Sequence, residues 1–139
     1  YGGQIETYRT EDADIVLVTS GSVTGTVRTV IDAKREAGLK VGLVKLRLFR
    51  PFPAGKLSSV LKGKKAIGVL DRSIAFGWNC GPIYMEVKAL AAQIGIVPML
   101  SFIDGLANMD ITKDHIETMI DAINEASQGK DYQETTWLP

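Results

Sequence analysis

Cysteine and histidine are almost absent from this chain, whose 139 residues contain one of each, Cys80 and His115. A single cysteine excludes an internal disulfide, and one cysteine with one histidine is too few for a zinc site. A chain without structural disulfides suits a reducing compartment, which predicts a cytoplasmic location.

The chain also lacks a charge of one sign, because 16 Lys and Arg balance 16 Asp and Glu. A neutral domain does not present the positive field that attracts nucleic acids or anionic membranes, so neither is expected as a partner. The only basic cluster is Lys62, Lys64 and Lys65. Its place before a predicted strand favours a solvated turn over a phosphate-binding patch.

Long apolar segments are missing as well. No apolar run approaches the roughly 20 residues that span a bilayer, and the N-terminus lacks the basic and then apolar pattern of a secretion signal. The chain begins with Tyr1 and not with Met. This beginning predicts a fragment or a processed chain.

What is present indicates one compact domain with a substantial core, since 45% of the residues are hydrophobic and 23% are charged. Buried runs of apolar and β-branched residues predict four strands, at 13–22, 40–49, 65–71 and 97–105. Helical spacing predicts four helices, at 22–38, 54–61, 81–95 and 110–127, with Thr112 as the N-cap of the last one. Alternating strands and helices predict an α/β fold with a mainly parallel sheet and helices on both faces.

The two ends of the chain are expected to differ from this body. The predicted domain comprises residues 1–127. Within it, residues 1–12 are predicted to be a linker or edge segment. The polar run 128–139 ends in Trp137, Leu138 and Pro139. It reads either as a tail whose last residues dock on a surface or as a disordered tail.

Ligands of open parallel sheets gather at the carboxyl ends of the strands, where this chain has segments rich in glycine and proline. The first, GSVTG at 21–25, precedes a helix and could bind an anion through backbone N–H groups. It lacks the third glycine of a dinucleotide fingerprint and the lysine of a phosphate loop. A structural strand-to-helix turn is therefore favoured over a phosphate site.

Asp71 and Arg72 follow the third predicted strand. Asp71 could act as a general base, a substrate clamp or an ion-pair partner. It could also cap the next turn through its side-chain oxygen, and this structural role is favoured. Cys80 in the same loop would need an adjacent base to act as a nucleophile, and His115 belongs to the last helix, so an inert thiol is favoured. Two hypotheses are equally plausible for Trp78: it anchors an interface with another chain, or it packs within the domain.

Four segments occur together in a characteristic order: VLVTSGSVTGTVRTVID, GLVKLRLFRPFP, IGVLDRSIAFGWNCGPIYMEVKA and GLANMDITKDHIETMI. Together they resemble the C-terminal domain of the alpha subunit of 2-oxoacid:ferredoxin oxidoreductases, above all of the pyruvate type. The resemblance covers about Tyr1 to Asn124. The R-x-F-R-P-F-P and V-L-D-R pieces are specific only in combination, and the tail from Gln128 is not part of it.

The resemblance implies a transketolase C-terminal-like domain of three α/β/α layers. It also implies an enzyme that decarboxylates a 2-oxoacid on thiamine diphosphate and Mg, passes electrons through iron–sulfur clusters to ferredoxin, and forms an acyl-CoA. It places the thiamine site between other domains, so this chain is expected to bind no cofactor or metal, to have no catalytic residue and to be inactive in isolation. The implied partners are the N-terminal thiamine-binding domain of the same subunit, beta, gamma and delta-type subunits, and ferredoxin.

The positions that match the family motifs are expected to shape loops or interfaces. They are Arg47, Phe49, Arg50, Pro51, Phe52, Pro53, Asp71, Arg72, Gly77, Gly81, Gly105 and Asp110, with Trp78 added as a candidate interface residue. Two alternatives stay open at this point. One is the equivalent domain of a transketolase-like enzyme or a 2-oxoacid dehydrogenase, and the other is a small nucleotide- or anion-binding module that uses the 21–25 loop.

Overall fold

The computed structural model describes residues 5–20, 24–46, 54–71, 82–103 and 111–138. These residues form six strands and five helices. In chain order they are β1 (Ile5–Tyr8), β2 (Ile15–Ser20), α1 (Thr24–Glu36), β3 (Val41–Leu46), α2 (Ala54–Leu61), β4 (Ala66–Asp71), α3 (Pro82–Lys88), α4 (Ala91–Ile94), β5 (Met99–Ile103), α5 (Lys113–Ser127) and β6 (Thr135–Trp137). No helix in these ranges is long and apolar enough to cross a membrane.

The strands form one sheet in the order β1-β3-β2-β4-β5-β6. Strands β2 to β6 run parallel, and β1 pairs antiparallel with β3 at one edge. Strand β3 lies on one side of β2, and the chain then crosses to β4 on the other side. The predicted α/β class with a mainly parallel sheet is confirmed.

Two apolar cores cover the two faces of the sheet. Helices α1 and α5 pack on one face, where Ile31, Ile120 and Ile123 are fully buried with Leu17 and Phe102 of the sheet. Helices α2, α3 and α4 pack on the opposite face over the alternate strand residues, among them Val16, Val69 and Met99. This alternation gives three layers, as the parallel strands with their continuous apolar runs predict.

The predicted strands and helices correspond closely to the observed ones. Helix α2 has the predicted limits, and Thr112 caps α5 by accepting a hydrogen bond from the His115 N–H at 3.1 Å. Helix α1 ends before Gly38, whose φ of 98° is the left-handed conformation that glycine adopts at a helix end. These helix ends could be predicted from the sequence because each depends on the type of one local residue.

One part differs from the sequence expectation. The predicted single helix at 81–95 is divided into α3 and α4, and the Leu90 N–H donates to the Val87 carbonyl three residues earlier, at 3.0 Å. The apolar spacing continues unbroken across this turn, so periodicity did not reveal it. At the ends of the chain, the segment expected to be a linker or an edge segment contributes the edge strand β1, and the segment expected to be a docked or disordered tail contributes the edge strand β6.

The amino end of the sheet is tied together by two basic side chains. The Arg35 guanidinium donates to the carbonyls of Val41, at 2.8 Å, and Arg9, at 2.6 Å, and it also forms an ion pair with Asp12. The Lys64 ammonium donates to the carbonyls of Thr10, at 2.5 Å, and Ala13, at 3.0 Å. Lys64 of the basic cluster therefore fixes the β1–β2 connection.

Candidate functional site

The sheet has its topological switch point between β2 and β4, which are parallel neighbours with Val18 opposite Val69. After β2 the chain continues to α1 on one face, and after β4 it continues to α3 on the other face. Ligand sites of open α/β sheets lie outside the strand ends at such a point. The topology therefore selects the ends of β2 and β4, at Ser20 and Asp71, as the candidate site.

Asp71 is the sequence-predicted site residue that the structure describes. Its residue is only 2% exposed, on the same face of the sheet as α3. One carboxylate oxygen accepts a hydrogen bond from the Ile83 N–H at 3.0 Å, and the other accepts one from the Tyr84 N–H at 3.1 Å. Asp71 thus satisfies two backbone donors of the first turn of α3, although the two segments are separated by the whole connecting loop.

Burial raises the pKa of Asp71 to about 6, while the hydrogen bonds from Ile83 and Tyr84 act in the opposite direction. A carboxylate in a low-dielectric setting is costly unless it is well hydrogen-bonded, and here both oxygens are occupied. In this geometry, Asp71 holds α3 against the end of β4.

The other predicted interface residues lie outside the described residues. They are Arg47, Arg50, Pro51, Phe52, Pro53, Arg72, Gly77, Trp78, Gly81, Gly105 and Asp110, and the matching Phe49 lies there too. Cys80 also falls in this group, as does most of the 21–25 loop. Among the described candidates, His115 is half-buried in the first turn of α5, where its backbone N–H bonds Thr112.

A second polar cluster, which the sequence did not indicate, joins α3 to the C-terminal segment. The Tyr84 hydroxyl lies 2.6 Å from Glu134 Oε2 and 3.1 Å from the Met99 carbonyl oxygen. The Lys88 ammonium forms an ion pair with Glu134 and lies 5.6 Å from the centre of the Tyr84 ring. The hydrogen bonds from Lys88 and then from Tyr84 hold the pKa of Glu134 below its usual range.

Signals for this cluster were partly present in the sequence. Tyr84 and Lys88 are four residues apart and therefore share one face of α3. Their partner Glu134 is separated from Tyr84 by 50 residues, and no local pattern connects the two. Within the described ranges, no three His, Cys, Asp or Glu side chains come together as a metal site would require.

Residues 13–116 match the family model described as "Pyruvate:ferredoxin oxidoreductase core domain II". The match runs from the start of β2 into α5. The chain belongs to this family. The family resemblance that the four sequence segments indicated is thereby confirmed.

Two named relatives are similar over most of this domain. The chain is 45% identical over 118 residues to the NADH-dependent phenylglyoxylate dehydrogenase subunit alpha of Aromatoleum evansii, which covers 84% of this chain and 28% of that protein. It is 43% identical over 122 residues to the pyruvate synthase subunit PorA of Thermotoga maritima, covering 86% of this chain and 31% of that protein. The core domain II chain thus spans about a third of the length of these relatives.

Solved structures share the fold. A 2-oxoglutarate:ferredoxin oxidoreductase from Magnetococcus marinus, with 2-oxoglutarate, coenzyme A and succinyl-CoA bound, superposes with a TM-score of 0.65 at 22% identity, covering 92% of this chain and 20% of that chain. A split-gene transketolase superposes with a TM-score of 0.56 at 13% identity, covering 89% of this chain and 41% of that one. The predicted three-layer, transketolase-like fold is confirmed.

Proposed function

We propose that this chain is core domain II of the alpha subunit of a pyruvate-type 2-oxoacid:ferredoxin oxidoreductase, and that it supports the assembly of an active site built by other domains. The observation that carries the proposal is the family match over residues 13–116. Similarity to a PorA subunit supports the pyruvate type. Because the chain spans about a third of such a subunit, the complete reaction belongs to a larger protein.

The chemistry of the described site supports an assembly role. Both carboxylate oxygens of Asp71 bind backbone N–H groups of α3. An acid used in this way orients a helix, whereas general acid–base catalysis needs a carboxyl group within reach of a substrate proton. The motif positions around it remain proposed loop-shaping and interface residues: Arg47, Arg50, Pro51, Phe52, Pro53, Arg72, Gly77, Trp78, Gly81, Gly105 and Asp110.

The cofactors of the proposed enzyme are thiamine diphosphate with Mg, iron–sulfur clusters and coenzyme A. An iron–sulfur cluster requires several thiolate ligands, and Cys80 is the only cysteine of the chain. The residues of this chain therefore do not fit a cluster. We assign the clusters, the thiamine site and the electron transfer to ferredoxin to the thiamine-binding domain and to the beta, gamma and delta-type subunits, in the cytoplasm.

The test is purification of the native complex through an affinity tag on the polypeptide that contains this chain. We expect co-purification of thiamine-binding and cluster-bearing polypeptides. We also expect pyruvate- and CoA-dependent reduction of ferredoxin or of a viologen dye. Recovery of the tagged polypeptide alone, or of a complex without thiamine diphosphate, would contradict the proposal.

A second candidate function follows from the similarity to the phenylglyoxylate dehydrogenase alpha subunit. In that case the parent enzyme would oxidise an aryl 2-oxoacid and transfer the electrons to NAD. The same purified complex separates the two candidates. Preferential activity with phenylglyoxylate and NAD would favour the second, and preferential activity with pyruvate and ferredoxin would favour the first.

A further inference from the structure

The last described residues of the chain form a strap along the edge of the sheet. This C-terminal strap, residues 128–138, leaves α5, crosses to the β5 edge and pairs there as β6. Residues 128–134 are exposed, and no residue of β6 is buried. Trp137 is 46% exposed. The strap therefore gains little from apolar burial.

The strap is attached to β5 through the backbone. The Ser101 N–H donates to the Glu134 carbonyl at 2.6 Å, and the Leu138 N–H donates to the Ile103 carbonyl at 2.9 Å. Among the described residues of the strap, Leu138 is the one that packs against an apolar core, and it is half-buried on the α1 and α5 side. A three-residue edge strand with these contacts belongs to the weakly held parts of a fold.

Strand β5, with which the strap pairs, is deeply buried, in contrast to the strap. All five residues of β5 are buried, from Met99 at 5% exposure to Ile103 at 0%. They pack against β4 and against helices on both faces. Strand β5 therefore has contacts with β4 and with helices on both faces that do not involve the strap.

One side chain fastens the strap to α3. Glu134 reaches back over the β5 edge to the hydroxyl of Tyr84, which is only 2% exposed, and pairs with Lys88. The Lys88 and Glu134 side chains are 53% and 52% exposed, and ion pairs at such positions are weak. The strap is thus held by a few specific contacts that can break together.

From these contacts we propose that the C-terminal strap is a releasable edge strand, fastened by Glu134 to Tyr84 and Lys88, which opens while β1 to β5 stay folded. Opening frees the Ser101 N–H and the Ile103 carbonyl at the edge of an apolar strand. Unpaired groups on such an edge are a template for pairing with another extended chain, and the closed strap blocks that pairing. This inference does not depend on the proposed function, because it concerns the chain's own contacts.

Hydrogen exchange of the full 139-residue chain, resolved by residue with NMR, tests the proposal. The Leu138 and Ser101 amides report the strap, and the Ile67 amide, which donates to the Pro98 carbonyl at 2.9 Å, reports the core. We expect the strap amides to exchange by a local opening that does not respond to low urea, whereas Ile67 exchanges only by global unfolding. Identical urea dependence of all three amides would overturn the proposal.

Substitutions test the role of Glu134. We expect Glu134→Gln to speed the exchange of Leu138 and Ser101 by about three- to tenfold, since a charge-assisted hydrogen bond and an exposed ion pair are lost. The Ile67 amide should keep its rate. Glu117→Gln, a change at an exposed acid of α5, is the matched control and should leave all three rates unchanged.

A charge exchange separates the ion pair from a general structural effect. Lys88→Glu alone should speed the exchange of the Leu138 amide more than Glu134→Gln does. Lys88→Glu combined with Glu134→Lys should recover part of the wild-type protection at Leu138. Strap rates that do not change in Glu134→Gln would show that the backbone pairing alone holds β6 closed. That outcome, or a double variant no better protected than either single one, would contradict the fastening role of Glu134.

Discussion

The carboxylate of Asp71 is enclosed at the end of β4 with two backbone donors of α3 as its partners. Burial raises the pKa of Asp71 to about 6, whereas an aspartate in an unfolded chain has a pKa of about 3.9. Between these values the native state holds more protons than the unfolded state. The contribution of this residue to the free energy of unfolding therefore falls as the pH rises through this range.

The first prediction concerns Asp71→Asn. Asparagine keeps one acceptor oxygen and replaces the other with an amino group, so one bond to α3 is lost, at about 1–2 kcal/mol near pH 4. Because asparagine does not titrate, the stability of the variant relative to the wild type should rise by up to about 3 kcal/mol from pH 4 to pH 7, so its disadvantage at pH 4 should disappear or reverse by pH 7. Urea unfolding at pH 4, 5, 6 and 7 measures both effects.

Asp114→Asn is the matched control for this pH series, since Asp114 is exposed in the first turn of α5. The lowered pKa of Glu134 contributes a stability change of opposite sign at low pH, but it is common to both variants and cancels in the difference. Parallel stability curves for the wild type and Asp71→Asn would refute a titration of Asp71 in this range.

At the scale of elements, α5 lies close to the sheet because β4 has a glycine beneath it. A Cβ atom added at Gly68 would lie 2.7 Å from Ile123 Cγ1 and 3.0 Å from Phe102 Cε2. Both neighbours are buried, so neither side chain has free space to move into. We predict that Gly68→Ala lowers the free energy of unfolding by about 1–3 kcal/mol through overpacking, as measured by urea unfolding.

Two comparisons make the result for Gly68 specific. Gly25 is exposed in α1 with no atom near an added Cβ, so Gly25→Ala should be stabilising by about 0.5–1 kcal/mol. Ile123→Val removes the terminal methyl group of the side chain that faces the added Cβ, so it should recover part of the loss when combined with Gly68→Ala. If Gly68→Ala were as stable as the wild type, α5 would not be held at the distance that the structure gives.

The elements that could be predicted from sequence are those fixed by local chemistry. Thr112 at the start of α5 and Gly38 after α1 gave correct helix ends, and the buried strands were recognised from their apolar runs. The break between α3 and α4 was missed because apolar residues keep helical spacing across it, namely Val87, Leu90, Ala91 and Ile94.

The site was less predictable than the elements, for a physical reason. An acid at a strand end was expected to form a cap, but its donors, Ile83 and Tyr84, are 12 and 13 residues away. The contact of Glu134 with Tyr84 spans 50 residues and depends on the position of β6 in the sheet. Such contacts are set by tertiary structure, which periodicity and residue propensity do not encode.

At the scale of the whole molecule, the two ends of the sheet differ in what is found there. At the amino end, the Arg35 and Lys64 side chains donate hydrogen bonds to backbone carbonyls. These bonds hold the connection between β1 and β2 in place. The carboxyl end contains the topological switch point and the segments that follow β2 and β4. This division fits the proposed assembly role, in which the carboxyl end would contact neighbouring domains.

The last prediction rests on this division and on the proposed assembly role. If substrate choice resides outside core domain II, replacing the matching segment of the Thermotoga maritima PorA subunit, which is 43% identical, with this chain should give an assembled complex that still prefers pyruvate. Assembly is measured by size-exclusion chromatography, and preference by kcat/KM for pyruvate and phenylglyoxylate. A chimera with Asp71→Asn in the inserted chain tests whether correct placement of α3 matters for assembly. A shift of preference toward phenylglyoxylate in the first chimera would show instead that core domain II itself selects the 2-oxoacid, because every other domain of that enzyme is unchanged.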